Sequence, residues 1–531
     1  MRIVTPEEMQ ALEARFMAET GVSSATLMGR AAEGLLRAAV ELTGRSGPVP
    51  QETHRLAGLR AAAFCGPGAN GGDGWALAWR LYDMGCEVTA ITVGVPRPGT
   101  AAHENYCECT DGRRAIRVID LAGAGLDACE DGASLIWRVA ELCGQGDMQA
   151  ELCVDALFGT GLSRPLSGIY LGLARMMGLL AGRGARVLAA DIPSGLSGDT
   201  GADGGACPAD ATVTFQFIKR GQLLGAGQDL CGRLICHDIG IPEDRAPRSA
   251  PVYMSPGDVH IPRRRHDTHK GTYGHLMLIA GSDDYAGAAL LSTKAALRSG
   301  AGLVTAACVA GLRPLLQLSA PAAMALEAAA GPVFDEESAG RIAGALTGKS
   351  ALAVGPGLTR RAAPDVVACA LKSGLPAVLD ADALNLIAAT PALRALVGPR
   401  HVLTPHPGEM ARLLGRPCGD PAQDARALAR ELGCVVLLKG CATCVSDGLH
   451  VFMMTPGVPG MACGGSGDVL TGVIGALLAQ GMSPVRSAVY GAMLHGRAGT
   501  LAQQRLGEIS MNAADIIDEL PQAFMEATGE R

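Results

Sequence analysis

Short apolar runs alternate with amphipathic stretches along the first half of the chain. The amphipathic stretches, such as 74–85 and 170–181, predict helices. The apolar runs predict buried strands at 59–66, 86–94, 151–159 and 185–195. Strands that alternate with helices form a parallel sheet with helices on both faces. The pattern therefore predicts a doubly wound α/β domain whose functional side chains collect at the carboxyl ends of the strands.

The alternation stops near residue 242 and restarts after a proline-rich segment with charges of both signs. This segment, 243–256, is the predicted linker between an N-terminal domain over 1–242 and a C-terminal domain over 257–531. Strands of the second domain are predicted at 275–282, 302–310, 350–357, 376–385, 401–409 and 434–440. The second half is therefore also predicted to be a doubly wound α/β domain.

Composition excludes several classes of function. The chain of 531 residues has a net charge of −7 and only 3% aromatic residues, which disfavours binding to duplex or single-stranded nucleic acid. The basic cluster at 263–265 is too short to change this interpretation. No apolar run is long enough to predict a membrane span. The 17 cysteines are scattered and odd in number, so we expect a reduced, cytoplasmic protein.

Two glycine-rich loops, CGPGANGGDG at 65–74 and GGSGDVLTG at 464–472, each contain an aspartate, Asp73 in the first and Asp468 in the second. Glycines let the backbone turn sharply or approach a ligand, and Asn70 and Asp73 add polar oxygens to the first loop. The second loop leads into an apolar run, so the start of a helix would face an anion beside Asp468. Two such loops predict two active sites.

Three oxygen-bearing side chains follow predicted strands of the first half: Asn70, Asp155 and Ser194. One carboxylate among neutral oxygens suits a hard monovalent cation better than calcium or zinc. Asp191 also follows an apolar strand and precedes Pro193. From the residues alone, Asp191 is either a functional carboxylate or a helix cap or turn former.

The first half resembles the NAD(P)H-hydrate epimerase family in the segments 66–74, 154–166 and 191–201, with support from 27–32 and 214–221. The resemblance implies a Rossmann-like fold and a potassium ion held by Asn70, Asp155 and Ser194. It also implies that Asp191 contacts the substrate and is the acid or base. The substrate positions that it implies are Ala69, Asn70, Gly71, Gly72, Asp73, Gly159, Thr160, Gly161, Leu162, Ser163, Arg164, Pro165 and Asp191. The family usually has asparagine where this chain has Ala69.

The second half resembles the NAD(P)H-hydrate dehydratase family of the ribokinase-like superfamily. The segments that carry the resemblance are 269–304, 354–358, 380–385, 404–415, 437–443 and 464–481. It implies that Ala288, Gly357, His406 and Asp468 bind the hydrated substrate. The adenine-nucleotide positions that it implies are Lys439, Gly440, Cys441, Ala442, Thr443 and Gly467.

The residues of the second half also suit phosphoryl transfer to a hydroxyl. That reaction needs an anion cradle, a base and usually Mg²⁺, and 465–468 offers the first two with Asp468 as the base. His406 lies between two prolines and either orients substrate, carries a proton or is structural. Lys439 follows an apolar strand and is either phosphate-facing or an ordinary lysine at a strand end.

The two resemblances occur in the order of the bifunctional NAD(P)H-hydrate repair enzymes. They imply that the first domain interconverts the R and S forms of hydrated NADH or NADPH. The second domain would then dehydrate the S form with ADP as donor, releasing AMP and phosphate. We expect a cytoplasmic homo-oligomer with no nucleic-acid or membrane partner. The alternatives are that the second domain is a small-molecule kinase and that the first is a non-catalytic binding module.

Overall fold

A computed structural model describes residues 1–44, 56–126, 129–144, 148–162 and 164–530. The chain divides into two compact units, Met1–Ala250 and Pro251–Arg531, called unit 1 and unit 2 below. Their boundary lies inside the predicted linker 243–256, and the domain bounds 1–242 and 257–531 stay a prediction.

Unit 1 alternates strands and helices through most of its described length. Its elements are β1 (Ile3–Val4), α1 (Pro6–Thr20), α2 (Ser24–Leu42), β2 (Arg60–Cys65), α3 (Ala69–Asp83), β3 (Glu87–Thr92), α4 (Ala101–Thr110), β4 (Arg117–Asp120), α5 (Gly132–Leu142), β5 (Leu152–Ala156), α6 (Gly168–Gly182), β6 (Arg186–Ala190), β7 (Ala211–Phe215), β8 (Ile218–Lys219), α7 (Gly227–Cys231) and β9 (Arg233–His237).

Seven strands of unit 1 form a parallel sheet in the order β4-β3-β2-β5-β6-β7-β9, and β1 pairs with β8 in a separate ladder. Successive side chains of β2 point to opposite faces. Ala61 and Ala63 join the core under α1, α2 and α3, whereas Ala62 and Phe64 join the core under α5 and α6. Burial on both faces explains why the strands are continuous apolar runs. The four strands that the sequence predicts in this half are confirmed.

The start of α1 follows from local chemistry. The Thr5 hydroxyl accepts from the amide of Glu8, and the Glu8 carboxylate accepts from the amide of Thr5. Pro6 occupies the first helical turn, where its missing N–H costs nothing. This reciprocal capping box fixes where α1 begins, and therefore where its side chains meet the rest of unit 1.

Unit 2 is larger and begins with a short strand within the predicted linker. Its elements are β10 (Val252–Tyr253), β11 (His275–Ile279), α8 (Ala286–Arg298), β12 (Leu303–Val309), α9 (Arg313–Ser319), β13 (Met324–Ala329), α10 (Glu336–Gly344), β14 (Ala351–Val354), α11 (Pro364–Lys372), β15 (Ala377–Leu379), α12 (Asp382–Ala389), α13 (Pro391–Arg394), β16 (His401–Leu403), α14 (Pro407–Leu414), α15 (Pro421–Leu432), β17 (Val435–Leu438), β18 (Thr443–Ser446), β19 (Val451–Met454), α16 (Ser466–Ala479), α17 (Pro484–Leu506) and α18 (Ala513–Thr528).

The sheet of unit 2 has ten strands in the order β10-β19-β18-β17-β16-β15-β14-β11-β12-β13. Leu276 and Leu278 of β11 face a core built with α8, α16, α17 and α18. Each of the six predicted segments contains a strand, but β15 and β16 end at Leu379 and Leu403, and the later residues of the segments 376–385 and 401–409 begin α12 and α14. The sheet is parallel except at β18, which is antiparallel to both β17 and β19. A short hairpin after β17 produces this difference.

Among the described residues, none of the helices combines the length and apolar character that crossing a bilayer requires.

Candidate active sites

The loops that follow β2 and β5 lie side by side at the carboxyl edge of the unit 1 sheet. Strand order reverses between these neighbours, which is where doubly wound sheets form a binding crevice. The Gly66 amide donates to the Ala156 carbonyl over 2.9 Å. A Cβ atom at Gly66 would lie 1.8 Å from the carbonyl oxygen of Leu157. Glycine is therefore required for this close approach of the two loops.

Asp155 and Ser194 form a buried hydrogen-bonded pair at this edge. The Ser194 hydroxyl donates to Asp155 Oδ1 over 2.5 Å, and the Ser194 amide donates to Asp155 Oδ2 over 2.8 Å. Ser194 Oγ also lies 3.1 Å from the carbonyl oxygen of Phe158. Burial raises the pKa of Asp155, although the hydrogen bonds from Ser194 oppose the shift. Carboxylate, hydroxyl and carbonyl oxygens therefore meet here.

Asn70 lies beside the same loop. Its side chain is 8% exposed, and neither Oδ1 nor Nδ2 makes a hydrogen bond to the described residues. A Cβ atom at Gly159 would lie 3.4 Å from Asn70 Oδ1. An unsatisfied buried polar group costs about 1–3 kcal/mol, which a ligand would offset. Asn70, Asp155 and Ser194 therefore fit a monovalent cation such as potassium.

Asp191 follows β6 in a strained and well-fixed conformation. Its φ is +62°, which is uncommon for a residue other than glycine. Its amide donates to the Val213 carbonyl over 2.8 Å, and Gln222 Nε2 donates to its carbonyl over 2.7 Å. The helix-cap alternative does not apply, because the next α-helix, α7, begins only at Gly227. Strain of this kind is typical of functional positions.

The Asp191 carboxylate is held by a buried lysine. Lys219 Nζ donates to Asp191 Oδ1 over 2.5 Å, and the Lys219 side chain is 1% exposed. The same oxygen accepts from Thr214 Oγ1 and from the Phe215 amide, each over 3.3 Å. Asp191 therefore has a fixed carboxylate with a positive charge beside it.

The implied substrate positions of unit 1 surround this crevice. Ala69 is exposed at the start of α3, whereas Gly71, Gly72 and Asp73 are buried. In the next loop, Gly159, Thr160 and Leu162 are partly exposed, and Gly161, Arg164 and Pro165 are exposed. Ser163 lies outside the described residues. Their contacts with substrate stay a prediction.

Unit 2 has a crevice with the same topology. Strand order reverses between β11 and β14, and the loops after these strands lie together. Gly357 has a φ of +66°, and a Cβ atom there would lie 3.0 Å from the Cβ of Ala288. Two implied substrate positions that are 69 residues apart in the sequence, 288 and 357, therefore lie next to each other.

Lys439 is paired with a buried carboxylate at the bottom of this crevice. Its Nζ lies 2.7 Å from Asp380 Oδ1 and 3.9 Å from Glu409 Oε2. Asp380 is 2% exposed and also accepts from Thr471 Oγ1 over 2.7 Å. Burial alone would lower the pKa of Lys439, but Asp380 and Glu409 raise it overall. Lys439 is therefore a fixed positive charge.

His406 is a helix cap rather than part of an isolated turn. Its Nδ1 accepts from the Gly408 amide over 3.0 Å at the start of α14, and its own amide donates to Glu409 Oε2 over 2.9 Å. Its Nε2 lies 3.4 Å from Glu409 Oε1. Burial lowers the pKa of His406, and Lys439 and Arg412 add to the shift. The half-exposed ring is therefore oriented and neutral at physiological pH.

Asp468 lies in the first turn of α16 beside this cluster. Gly465 caps the helix with a φ of +92°, and a Cβ atom at Gly467 would lie 3.5 Å from Lys439 Nζ. Burial raises the pKa of Asp468 to about 7, with a further contribution from Asp380, while Lys439 opposes the shift. A carboxyl with this pKa exchanges protons readily near neutral pH.

The remaining implied nucleotide positions form the turn between β17 and β18. Gly440 and Cys441 are exposed, and Ala442 is buried. The Thr443 hydroxyl donates to the Gly440 carbonyl over 3.3 Å, which closes the turn. The turn directly follows Lys439, and the Nζ of Lys439 would lie 3.5 Å from a Cβ atom at Gly467. The turn therefore borders the same crevice as Gly467.

Both halves of the chain match known protein families. Residues 24–221 match the family model described as YjeF-related protein N-terminus, and residues 276–522 match the one described as NAD(P)H-hydrate dehydratase. A bifunctional NAD(P)H-hydrate repair enzyme from Moorella thermoacetica is 36% identical over 98% of this chain and 96% of the relative. The chain belongs to the bifunctional NAD(P)H-hydrate repair enzyme family. A second member of the family, from Thermofilum pendens, is 34% identical, and the match covers 99% of this chain and 96% of that relative.

A solved structure also resembles unit 2. The ADP/ATP-dependent NAD(P)H-hydrate dehydratase from Bacillus subtilis, co-crystallised with ATP and Mg²⁺, is 30% identical with a TM-score of 0.45. The match covers 52% of this chain and 99% of that chain. The two sheet topologies and the family matches confirm the predicted fold, a Rossmann-like α/β unit followed by a ribokinase-like α/β unit.

Three charged residues of these sites were not singled out in the sequence analysis. Asp380 and Glu409 lie in segments that carry the family resemblance. Asp380 directly follows a buried strand, so its position at a strand end could have identified it as a candidate site residue. Lys219 lies in the segment 214–221, which also carries the family resemblance, and its apolar neighbours could have indicated that the lysine is buried.

Proposed function

We propose that the chain repairs hydrated NADH and NADPH with two active sites. Unit 1 interconverts the R and S forms of the hydrate, and unit 2 dehydrates the S form to NAD(P)H. The observation that carries the proposal is similarity to repair enzymes over 98–99% of the chain. The placement of Asp191 and Asp468 at separate crevices supports it.

In unit 1, we propose that Asn70, Asp155 and Ser194 hold a potassium ion. When bound, the ion would supply positive charge that stabilises the Asp155 carboxylate and satisfies the Asn70 amide. The loops at 69–73 and 159–165 would bind the hydrated dinucleotide. Asp191 would contact the hydrate and take part in proton transfer, with the ring nitrogen assisting loss and return of the C6 hydroxyl.

In unit 2, Asp468 is proposed as the base that takes the proton of the C6 hydroxyl. Water is a poor leaving group, so the hydroxyl is first phosphorylated by a nucleotide. Phosphate is then expelled from C6 while a proton leaves the neighbouring ring carbon, which restores the ring double bond. The amides at the start of α16 and Lys439 would stabilise the transferring phosphoryl group. Ala288, Gly357 and His406 would orient the hydrate, and 440–443 would bind the adenine nucleotide. ADP is the proposed donor, which leaves AMP and phosphate.

Magnesium is expected with the nucleotide. In the part of the chain that the structure describes, no group of three His, Cys, Asp or Glu side chains forms a metal site. Mg²⁺ commonly uses one or two carboxylates together with substrate phosphates, and the buried Glu409 carboxylate beside Lys439 fits this arrangement. The ion would supply positive charge to the phosphates when bound. We propose that the protein is a cytoplasmic homo-oligomer.

The decisive experiment uses purified protein and hydrated NADH containing both epimers, with ADP or ATP. Complete return of NADH absorbance requires both activities, because the second site consumes one epimer only. The kinase alternative predicts a stable phosphorylated hydrate and no NADH. If unit 1 were a non-catalytic module, recovery would stop once the S form was consumed.

A further inference from the structure

Unit 2 contains a cavity that neither proposed activity uses. Its volume is about 660 Å³, which lies within the range of small-molecule sites. The described residues that line it include five arginines, at 263–265, 298 and 486, and one carboxylate, Glu530. We call it the basic cavity. Its positive lining contrasts with the net charge of −7 of the whole chain.

The basic cavity is separate from the dehydratase crevice. Tyr273 and Gly300 line the cavity and lie just before β11 and β12, whereas the crevice is formed by loops that follow strands. Helix α16 has Asp468 in its first turn at the crevice, and Leu477 near its other end lines the cavity. These two residues are nine positions apart, which corresponds to about 14 Å along the helix axis.

Two of the five arginines have a structural role. Arg263 Nε donates to the Thr528 carbonyl over 3.2 Å at the end of α18. Arg264 donates to the Gly300 carbonyl just after α8, and its Cζ lies 3.7 Å from the ring centre of Tyr273. Such contacts satisfy the last carbonyls of helices and stack a cation on an aromatic face. Helix capping therefore explains Arg263 and Arg264.

The other three arginines, Arg265, Arg298 and Arg486, are not explained in this way. They are exposed, and their side chains form no hydrogen bond or ion pair with the described residues. Arg486 lies in the first turn of α17, where the helix dipole makes a cation unfavourable and an anion favourable. Guanidinium groups match the oxygens of phosphate in geometry and charge. The three arginines therefore suit a phosphate group.

Ser299 provides independent evidence for a ligand. Its side chain lines the cavity and is 1% exposed, and its Oγ has no hydrogen-bond partner among the described residues. Its carbonyl accepts from Gln480 Nε2 over 3.0 Å, which fixes the backbone at this position. Buried hydroxyl groups are nearly always hydrogen-bonded, because leaving one without a partner is costly. A phosphate oxygen in the cavity would accept from this hydroxyl.

Apolar and aromatic side chains line the same cavity. Leu477 is buried, and Met482, Tyr490 and Phe524 are partly buried. Aromatic side chains stack on the rings of nucleobases and discriminate little among the bases. A ligand that combines a phosphate with a planar ring therefore matches both parts of the lining.

We propose that the basic cavity is a mononucleotide-binding site, separate from the two active sites. The phosphate binds to Arg265, Arg298 and Arg486 and accepts a hydrogen bond from Ser299 Oγ, while the base lies against the apolar and aromatic side chains. Because the base is held by stacking, AMP is a sufficient probe. The inference does not depend on the proposed repair activities.

Hydrogen–deuterium exchange of the full chain locates the binding of AMP, because it reports each segment separately. Millimolar AMP is expected to protect peptides that cover 262–268 and 480–490, whether or not it also protects the crevice peptides 439–443 and 464–470. Inorganic phosphate and adenosine should each protect the cavity peptides less than AMP does. Absence of protection by AMP at the cavity overturns the proposal, and equal protection by inorganic phosphate overturns the nucleotide assignment.

The arginines are tested in the double variant Arg298→Ala/Arg486→Ala. Loss of two charge-assisted contacts should raise the AMP concentration for half-maximal protection of the cavity peptides roughly 10-fold or more. Any protection of the crevice peptides should stay unchanged. The control is Arg341→Ala, an exposed arginine on α10 outside the cavity, which should match the wild type.

Ser299→Ala separates binding from a structural role. It removes a hydroxyl that has no partner among the described residues, so the urea unfolding transition of unit 2, followed by circular dichroism, should show no loss of stability. Half-maximal protection by AMP should nevertheless require roughly 10-fold more nucleotide. If the cavity peptides were protected at the same AMP concentration in Ser299→Ala, the double variant and the wild type, the protection would be indirect and the proposed site would be wrong.

Discussion

Asp380 Oδ1 lies 2.7 Å from Lys439 Nζ although 59 residues separate them in the chain. Each residue directly follows a strand, β15 or β17, and β16 lies between those strands in the sheet. The pair therefore joins two strand ends across a third at the dehydratase crevice. Because Asp380 is 2% exposed and Lys439 23% exposed, the pair is largely shielded from water.

Asp380→Asn is expected to destabilise unit 2 by about 3 kcal/mol, since it leaves the mostly buried Lys439 without its main counter-charge. Urea unfolding followed by circular dichroism reports both units, whereas tryptophan fluorescence reports unit 1 alone. Only the transition assigned to unit 2 should shift. The exposed Asp365→Asn on α11 is the control and should change stability by less than about 0.5 kcal/mol. An unchanged unit 2 transition in Asp380→Asn would contradict the role of the pair.

Asp468→Asn is expected to reduce dehydration of the S hydrate roughly 10²-fold or more, because the change is nearly isosteric but removes the base. A base works in its ionised form, and the pKa of Asp468 is about 7. The wild-type rate should therefore rise as pH increases through about 7 and then level off. NADH formation from pure S hydrate with ADP measures this rate. Epimerisation by the same variant, which depends on unit 1, is the internal control, and wild-type dehydration would refute the assignment.

Asn70→Ala tests the cation site with little risk to folding, since neither side-chain polar atom of Asn70 bonds to a described residue. We expect epimerisation to fall and to lose its response to potassium. In the wild type, replacing potassium with sodium should slow epimerisation but leave dehydration of the S hydrate unchanged. The measurement is equilibration of separated epimers in each salt. Equal epimerisation by Asn70→Ala and the wild type in both salts would rule out this site.

Strand positions were predictable because strands buried on both faces are continuous apolar runs. Elements that depend on tertiary context were not predictable. β18 and β19 form a hairpin after the turn 440–442, which the family resemblance marks only as nucleotide positions. The residues that follow strands, such as Asp155 and Asp191, could be placed at a crevice from topology alone. The partner of Asp191 could not be predicted, because Lys219 reaches it from another strand. Nor could the sequence show that the side chain of Asn70 has no hydrogen-bond partner among the described residues.

Cleavage between Ala250 and Pro251 is expected to give two folded fragments. Each unit has its own sheet and core, and Val252–Tyr253 must stay with unit 2 because it pairs with β19. Residues 1–250 alone should equilibrate the two epimers. Residues 251–531 with ADP should consume the S form and then stop, and adding the first fragment should restart the reaction.

The stop and restart are the informative observations, because they arise only when unit 2 is stereospecific and unit 1 resupplies its substrate. Chromatography of the epimers and NADH absorbance follow both steps. Circular dichroism of each fragment checks that it is folded. If folded residues 251–531 consumed both epimers at similar rates, unit 1 would have no resupply role. If they accumulated a stable phosphorylated hydrate instead of NADH, unit 2 would be a small-molecule kinase.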